Sequence, residues 1–172
     1  MDVRVGILTV SDRGYRGEYE DQSGPLIRKI VTERLGATVE IETIVPDAQL
    51  IIQSTLIVWC DEMGLDLVLT TGGTGFAPRD VTPEATRAVI HRETPGLVEA
   101  MRAASLKITP HAMLSRAVAG IRGQTLIVNL PGSPKAVREN LELVLPALPH
   151  GIRLLKEVEG ENRRHDLQVR EV

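Results

Sequence analysis

A chain of 172 residues is long enough to bury one substantial core and short for two. Apolar residues make up 42% and charged residues 25%, the balance of a soluble globular domain, while aromatics at 2% leave the core to Ile, Leu, Val and Ala. So few aromatics argue against a single-stranded nucleic-acid binder, and a net charge of -3 exerts no global pull on polyanions, so any phosphate binding has to be local.

Met1-Asp2-Val3-Arg4 runs straight into a strand-like segment, without the cationic and apolar regions of a signal peptide. The most apolar stretch, Leu50 to Trp59, is interrupted by Gln53, Ser54 and Thr55 and is too short to span a bilayer. A soluble cytoplasmic protein without membrane or nucleic-acid partners is expected. Cys60 is the only cysteine, so neither an internal disulfide nor a thiolate zinc cluster can form.

Val3 to Val10 is β-branched and reads as the first strand. A loop from Ser11 to Ser23 follows, carrying Asp12, Gly14, Gly17, Glu18, Glu20 and Asp21. Ser23-Gly24-Pro25 opens a helix to about Leu35, with Gly36 as its stop. Ala37 to Val45 is the second strand. The next helix runs to Met63, with Asp47 as the expected N-cap and Gly64 as terminator. Asp66 to Thr71 is a short apolar run of the buried parallel type. Helices then begin at Thr82-Pro83 and, after Thr94-Pro95-Gly96, a second time. Ala117 to Ile121 and Thr125 to Leu130 form a hairpin around Arg122-Gly123. Ser133-Pro134 starts a helix to about Leu145, interrupted by Pro146 and Pro149 and resumed from Ile152 to Leu155. Strand–helix alternation predicts an α/β fold, a three-layer α/β/α sandwich with a mostly parallel sheet plus a β-hairpin. Residues 1–158 are read as one domain and 159–172 as a charged, loose tail.

The stretch Thr70-Thr71-Gly72-Gly73-Thr74-Gly75-Phe76-Ala77-Pro78-Arg79-Asp80 leaves the C-terminal end of a buried strand, where open α/β sheets bind ligands. Gly72, Gly73 and Gly75 let backbone N–H groups approach a phosphate, and Thr71 and Thr74 add hydroxyls. Asp80 is positioned to meet a cation. A tight turn explains one glycine and one aspartate well, but not three glycines flanked by hydroxyls. The loop is neither of two familiar nucleotide loops: no Gly-Lys pair exists for a P-loop, and Gly73-Thr-Gly75 leads to Pro78 where a dinucleotide fingerprint needs glycine. His91, His111, His150 and His165 show no ligand spacing.

Thr70 to Thr86 resembles the signature of the molybdenum-cofactor biosynthesis family, which includes bacterial molybdopterin adenylyltransferases and the gephyrin G domain. Further matching stretches are Thr9-Val-Ser-Asp12, Ser23-Gly-Pro25, Val45-Pro-Asp47, Glu93-Thr-Pro-Gly96, Ser105 to Pro110, Met113-Leu-Ser-Arg116, Gly120-Ile-Arg-Gly123, Asn129-Leu-Pro-Gly-Ser133 and Leu145 to His150. The resemblance covers about Val3 to Leu155. It implies transfer of AMP from ATP to the terminal phosphate of molybdopterin, with release of pyrophosphate. A phosphate monoester is already mostly ionised at pH 7, so the site has to align two anions and neutralise their repulsion. The family's essential aspartates fall on Asp47 and Asp80, suitable catalytic carboxylates for Mg²⁺. By the same resemblance, Ser11 and Asp12 belong to the substrate pocket, and Ser115 and Arg116 lie near the ligand, Arg116 as a bidentate phosphate partner. Pro131-Gly132-Ser133 is a further strand-to-helix turn suited to an anion, with Lys135 close by. The family also implies a homotrimer and contact with other enzymes of cofactor biosynthesis. Two other readings are a non-catalytic molybdopterin-binding scaffold and a molybdate-inserting domain, the latter normally part of a much longer chain. Gly73→Ala and Gly75→Ala are both expected to weaken ATP binding more than folding.

Overall fold

The computed structural model describes residues 2–157, so the tail expected from residue 159 lies outside the described residues. Strand β1 (Arg4–Val10) leads into a single helical turn, α1 (Asp12–Tyr15), and then α2 (Ser23–Leu35). β2 (Thr38–Val45), α3 (Gln49–Asp61), β3 (Leu67–Thr71) and α4 (Thr82–Val89) follow. A two-residue strand, β4 (Arg92–Glu93), α5 (Pro95–Leu106) and a 3₁₀ turn (Pro110–Leu114) precede the hairpin of β5 (Ala119–Arg122) and β6 (Thr125–Leu130). The described chain closes with α6 (Pro134–Val144), a 3₁₀ turn (Leu145–Ala147) and a last helix, α7, over 148–157.

The six strands form one sheet in the order β2-β1-β3-β6-β5-β4. β2, β1, β3 and β6 are parallel, while β5 runs antiparallel to β6 and β4 antiparallel to β5. Successive side chains on a strand point to opposite faces, and the core divides accordingly. Val5, Ile7, Leu67, Leu69, Val128 and Leu130 pack under α2, α5 and α6. Leu8, Val10, Val68 and Ile127 pack under α3 and α4, against Ile52, Leu56 and Trp59. This is the expected three-layer arrangement. Cys60 is buried in the second layer, which pushes its thiol up to about 11 and leaves it inert at neutral pH.

Parallel register brings the C-terminal ends of four strands together: Val10 faces Val45, Thr9 faces Thr71, and Thr71 faces Leu130. The chain leaves β1 toward β2 on one side and returns to β3 on the other, so a topological switch point opens between β1 and β3. The loops after β1, β2, β3 and β6 all emerge there.

Three expectations are corrected. Asp47 is not the N-cap of α3: the helix begins at Gln49 behind Ala48, with no side-chain cap. The Asp47 carboxylate reaches sideways and accepts from Asp12 N at 2.8 Å. The loop after β1 contains α1, capped by Ser11, whose Oγ accepts from Gly14 N at 3.0 Å. The hairpin's first strand starts at Ala119 rather than Ala117, because Arg116 N donates to Thr74 O and Val118 N to the Asn129 side chain.

Candidate active site

The loop after β3 is held by its carbonyls. Gly72 O accepts from Thr82 Oγ1 at 2.9 Å, and Gly73 O from Thr82 N at 3.1 Å. Thr74 O accepts from Arg116 N at 2.9 Å, and Gly75 O from Arg116 Nε at 2.7 Å. Gly72 N faces Leu130 O at the end of the β3–β6 ladder, while among the described residues the N–H groups of Gly73, Thr74 and Gly75 have no protein acceptor. Buried or half-buried backbone donors are ordinarily paired, so three successive free ones define a concavity for an anion. Gly72 and Gly73 have φ of 93° and 65°, a conformation that side-chain-bearing residues rarely adopt.

Two carboxylates stand against this loop. A methyl group on Gly73 would lie 3.1 Å from Asp47 Oδ1, and one on Gly75 would lie 2.9 Å from Asp80 Oδ2. Asp80 Oδ2 also accepts from Ala77 N at 3.0 Å, closing the turn ahead of α4. Asp12 and Asp47 clasp each other reciprocally, since Asp47 N donates to Asp12 Oδ1 at 3.0 Å. Arg79 forks onto Asp12 through Nε and Nη2, both at 2.9 Å, and holds its carboxyl below the usual range. Asp47 has no such partner. Burial, with the negative charges of Asp12 and Asp80, pushes its carboxyl above the ordinary value. Among the described residues no group of three or more His, Cys, Asp or Glu side chains could hold a metal. Two carboxylates with unrelieved charge suit a hard cation that takes its remaining oxygens from a substrate, as Mg²⁺ does.

Two cavities flank the loop. One, of about 280 Å³, is acidic: Ser11, Asp47, Asp80, Thr71, Gly72, Gly73 and Gly132 contribute to its wall. The other, of about 270 Å³, is largely apolar: Thr74, Gly75, Ser115 and Pro131 line it with Val98, Met101 and Leu114. The predicted site residues are thus divided between two sides of one loop. Asp12 braces Asp47 from behind. Ser133 lines neither cavity and caps α6, its Oγ accepting from Ala136 N at 3.3 Å. Lys135 is exposed and pairs loosely with Glu139 at 3.9 Å.

Arg116 departs from expectation. Its guanidinium donates to Gly75 O, to Asp80 O at 2.7 Å and to the Glu84 carboxylate, so it clamps the loop to α4 and is not free to fork onto a phosphate. Sequence reasoning passed over Thr9, Tyr19 and Asp21, which also line the acidic cavity. Asp21 accepts from Ser23 N at 2.9 Å and Thr9 Oγ1 at 2.6 Å, an aspartate two residues before a helix start being the available signal. Arg102 and Asn140, in the apolar cavity, carry no sequence signal at all.

The two loop glycines separate in their expected behaviour. Gly73→Ala places a methyl at positive φ and against the Thr82 hydroxyl, so it is expected to cost about 1 kcal/mol or more of stability besides disturbing the loop. Gly75 has no positive φ, and its methyl would meet only the Asp80 carboxylate. Gly75→Ala is therefore expected to leave the melting temperature nearly unchanged while weakening Mg²⁺–ATP binding measured by calorimetry. Unchanged ATP affinity in folded Gly75→Ala would remove Gly75 from the nucleotide site.

Fold and site define an α/β protein whose switch-point loops set free backbone donors beside paired carboxylates. Residues 6–150 match the family described as "Probable molybdopterin binding domain", and the chain belongs to that family. It is 49% identical over 154 residues to a molybdopterin adenylyltransferase of Helicobacter pylori, spanning 89% of this chain and 88% of that one. It is 52% identical over 160 residues to gephyrin of Dictyostelium discoideum, spanning 88% of this chain but 22% of the relative. Among solved structures, the molybdopterin biosynthesis enzyme MoaB of Thermus thermophilus superposes with a TM-score of 0.84 at 56% identity, covering 89% of this chain and 96% of that one.

Proposed function

We propose that the chain is a molybdopterin adenylyltransferase, a nucleotidyltransferase of molybdenum cofactor biosynthesis. The observation that carries this reading is the loop of residues 72–75, with every carbonyl tied back and the N–H groups of Gly73, Thr74 and Gly75 free, standing between two cavities. Near-full-length identity of about half to the H. pylori enzyme supports it.

The reaction requires a molybdopterin phosphate oxygen to bond to the α-phosphorus of ATP as the bond to the pyrophosphate oxygen breaks. The leaving electron pair goes to pyrophosphate. The nucleophile arrives ionised, so no general base is needed. The free amides of 73–75 hold and orient phosphate oxygens, with donors fixed in advance by Thr82 and Arg116. Asp47 and Asp80 would hold Mg²⁺, which neutralises polyphosphate charge when bound. Asp12 and Arg79 keep Asp47 in place. The apolar cavity, next to Thr74 and Gly75, takes the pterin part of molybdopterin.

Incubation with molybdopterin, ATP and Mg²⁺ is expected to give adenylylated molybdopterin and pyrophosphate. Full turnover in excess chelator would remove the metal role, and binding without turnover would favour the non-catalytic scaffold reading. The active unit is proposed to be residues 1–158, acting in the cytoplasm alongside other enzymes of cofactor biosynthesis. No helix among the described residues is long and apolar enough to cross a membrane. A homotrimer is proposed as the assembled form. Leu50, Ile51, Ile57 and Val58 on the outer face of α3 supply an exposed apolar surface of the kind subunit contacts bury. Light scattering at micromolar concentration is expected to give the trimer mass, and a stable monomer would contradict it.

A further inference from the structure

We propose that the Tyr19 ring, steadied by Arg13, is the platform on which the adenine base of ATP stacks while the phosphates reach the 72–75 loop. This rests on the adenylyltransferase reading and adds a recognition element to it. The chain has one tryptophan, one phenylalanine and two tyrosines. Trp59 is buried in the core, and Phe76 and Tyr15 line neither cavity. Tyr19 is the one Phe, Tyr or Trp side chain, among the described residues, in the wall of either cavity, and it lies in the acidic one with Gly72, Gly73 and both carboxylates.

Tyr19 is 48% exposed, so it keeps surface for a ligand. The Arg13 guanidinium stacks 5.7 Å from its centroid and limits its rotation. The segment bearing both side chains is anchored at each end. Ser11 caps α1 and Glu18 N donates to Arg13 O at 2.9 Å; on the far side Asp21 is bonded to Thr9 and to the start of α2. A flat base joined to phosphates in this cavity finds no other π-face there. Stacking tolerates any base, so Tyr19 contributes affinity for a nucleotide over bare polyphosphate rather than strict selection of adenine.

The test compares Mg²⁺–ATP with Mg²⁺–tripolyphosphate by calorimetry on the full chain, for the wild type, Tyr19→Ala, Tyr19→Phe and the exposed control Tyr15→Ala. Tyr19→Ala is expected to weaken ATP roughly ten- to a hundredfold and leave tripolyphosphate unchanged. Tyr19→Phe keeps the π-face and is expected to retain ATP affinity, as is Tyr15→Ala. In turnover, Tyr19→Ala raises KM for ATP with little change in kcat, since stacking is uniform binding. Equal loss of ATP and tripolyphosphate would overturn the proposal and make Tyr19 a shaper of the loop; so would no loss of ATP. A wild type that binds neither ligand would overturn the adenylyltransferase reading itself.

Discussion

Asp80→Asn is expected to lower the adenylylation rate by roughly 10²–10³, the effect of losing one strong electrostatic stabiliser, with the fold intact. Asparagine keeps the volume and an oxygen for Ala77 N, the one hydrogen bond that the Asp80 side chain makes among the described residues. Only the charge disappears. Asp47→Asn is expected to behave alike, its amide oxygen still accepting from Asp12 N. Initial rates across a Mg²⁺ titration check both, and wild-type rates in either variant would remove that carboxylate from catalysis. The same charge sets a pH dependence. Burial and the neighbouring Asp12 and Asp80 raise the Asp47 carboxyl, so it loses its charge at a higher pH than an ordinary aspartate as the solution is acidified. Activity should fall on the acid side at correspondingly higher pH, and raising Mg²⁺ should move that limb to lower pH, because the cation competes with the proton. For stability the sign is opposite to that of an ion-paired carboxylate. A raised folded-state pKa means the contribution present below the unfolded value is lost as pH rises through the folded one. The Asp47 charge is therefore destabilising near neutrality, and Mg²⁺–ATP should raise the melting temperature there.

The second large effect is expected in the sheet beneath the loop. Asn129 is fully buried in β6, and its amide is hydrogen-bonded at both ends. Nδ2 donates to Thr70 Oγ1 and to Thr86 Oγ1, both at 2.9 Å, and Oδ1 accepts from Val118 N at 3.1 Å. Thr86 in turn donates to Thr82 O, so one side chain joins β3, β6, α4 and the entry to the hairpin. Asn129→Leu keeps the branching at Cγ in a larger side chain and removes all three bonds, leaving the Val118 N–H orphaned in a dry interior. The cost should be about 3 kcal/mol, because an unmade buried hydrogen bond forfeits the whole desolvation of its partner. For a chain of this size that is a fall of roughly 6–12 °C in melting temperature at fixed protein concentration. Activity should fall as well, since Thr82 holds Gly72 and Gly73. A loss under about 2 °C would mean that water replaces the amide, and the network would then not be what rigidifies the loop.

Period and punctuation in the sequence determined much of this protein. Strand–helix alternation, Gly36 as a left-handed stop at φ 62°, and the turn at Arg122-Gly123 are local events, governed by backbone sterics within a few residues. The motif at 70–80 was legible for the same reason: a run of glycines and hydroxyls after an apolar strand has few other uses. Asp47 and Asp80 were legible as acids following strands.

Tertiary structure alone decided what those groups do to one another. Asp47 reads as a helix cap by position, but Asp12, 35 residues earlier, offers it a backbone donor across the β1–β2 edge, so its carboxylate turns into the site. Arg116 reads as a phosphate ligand by type, but the carbonyls of Gly75 and Asp80 lie within its reach and occupy its fork. Asn129 reads as part of an apolar run, and Tyr19 as an unremarkable loop residue. Hydrogen bonds and stacking are short-ranged and directional, so a side chain's partners depend on which strands become neighbours. Sheet order β2-β1-β3-β6 sets those neighbours, and it is chosen by burial of the whole core rather than by any residue at the site.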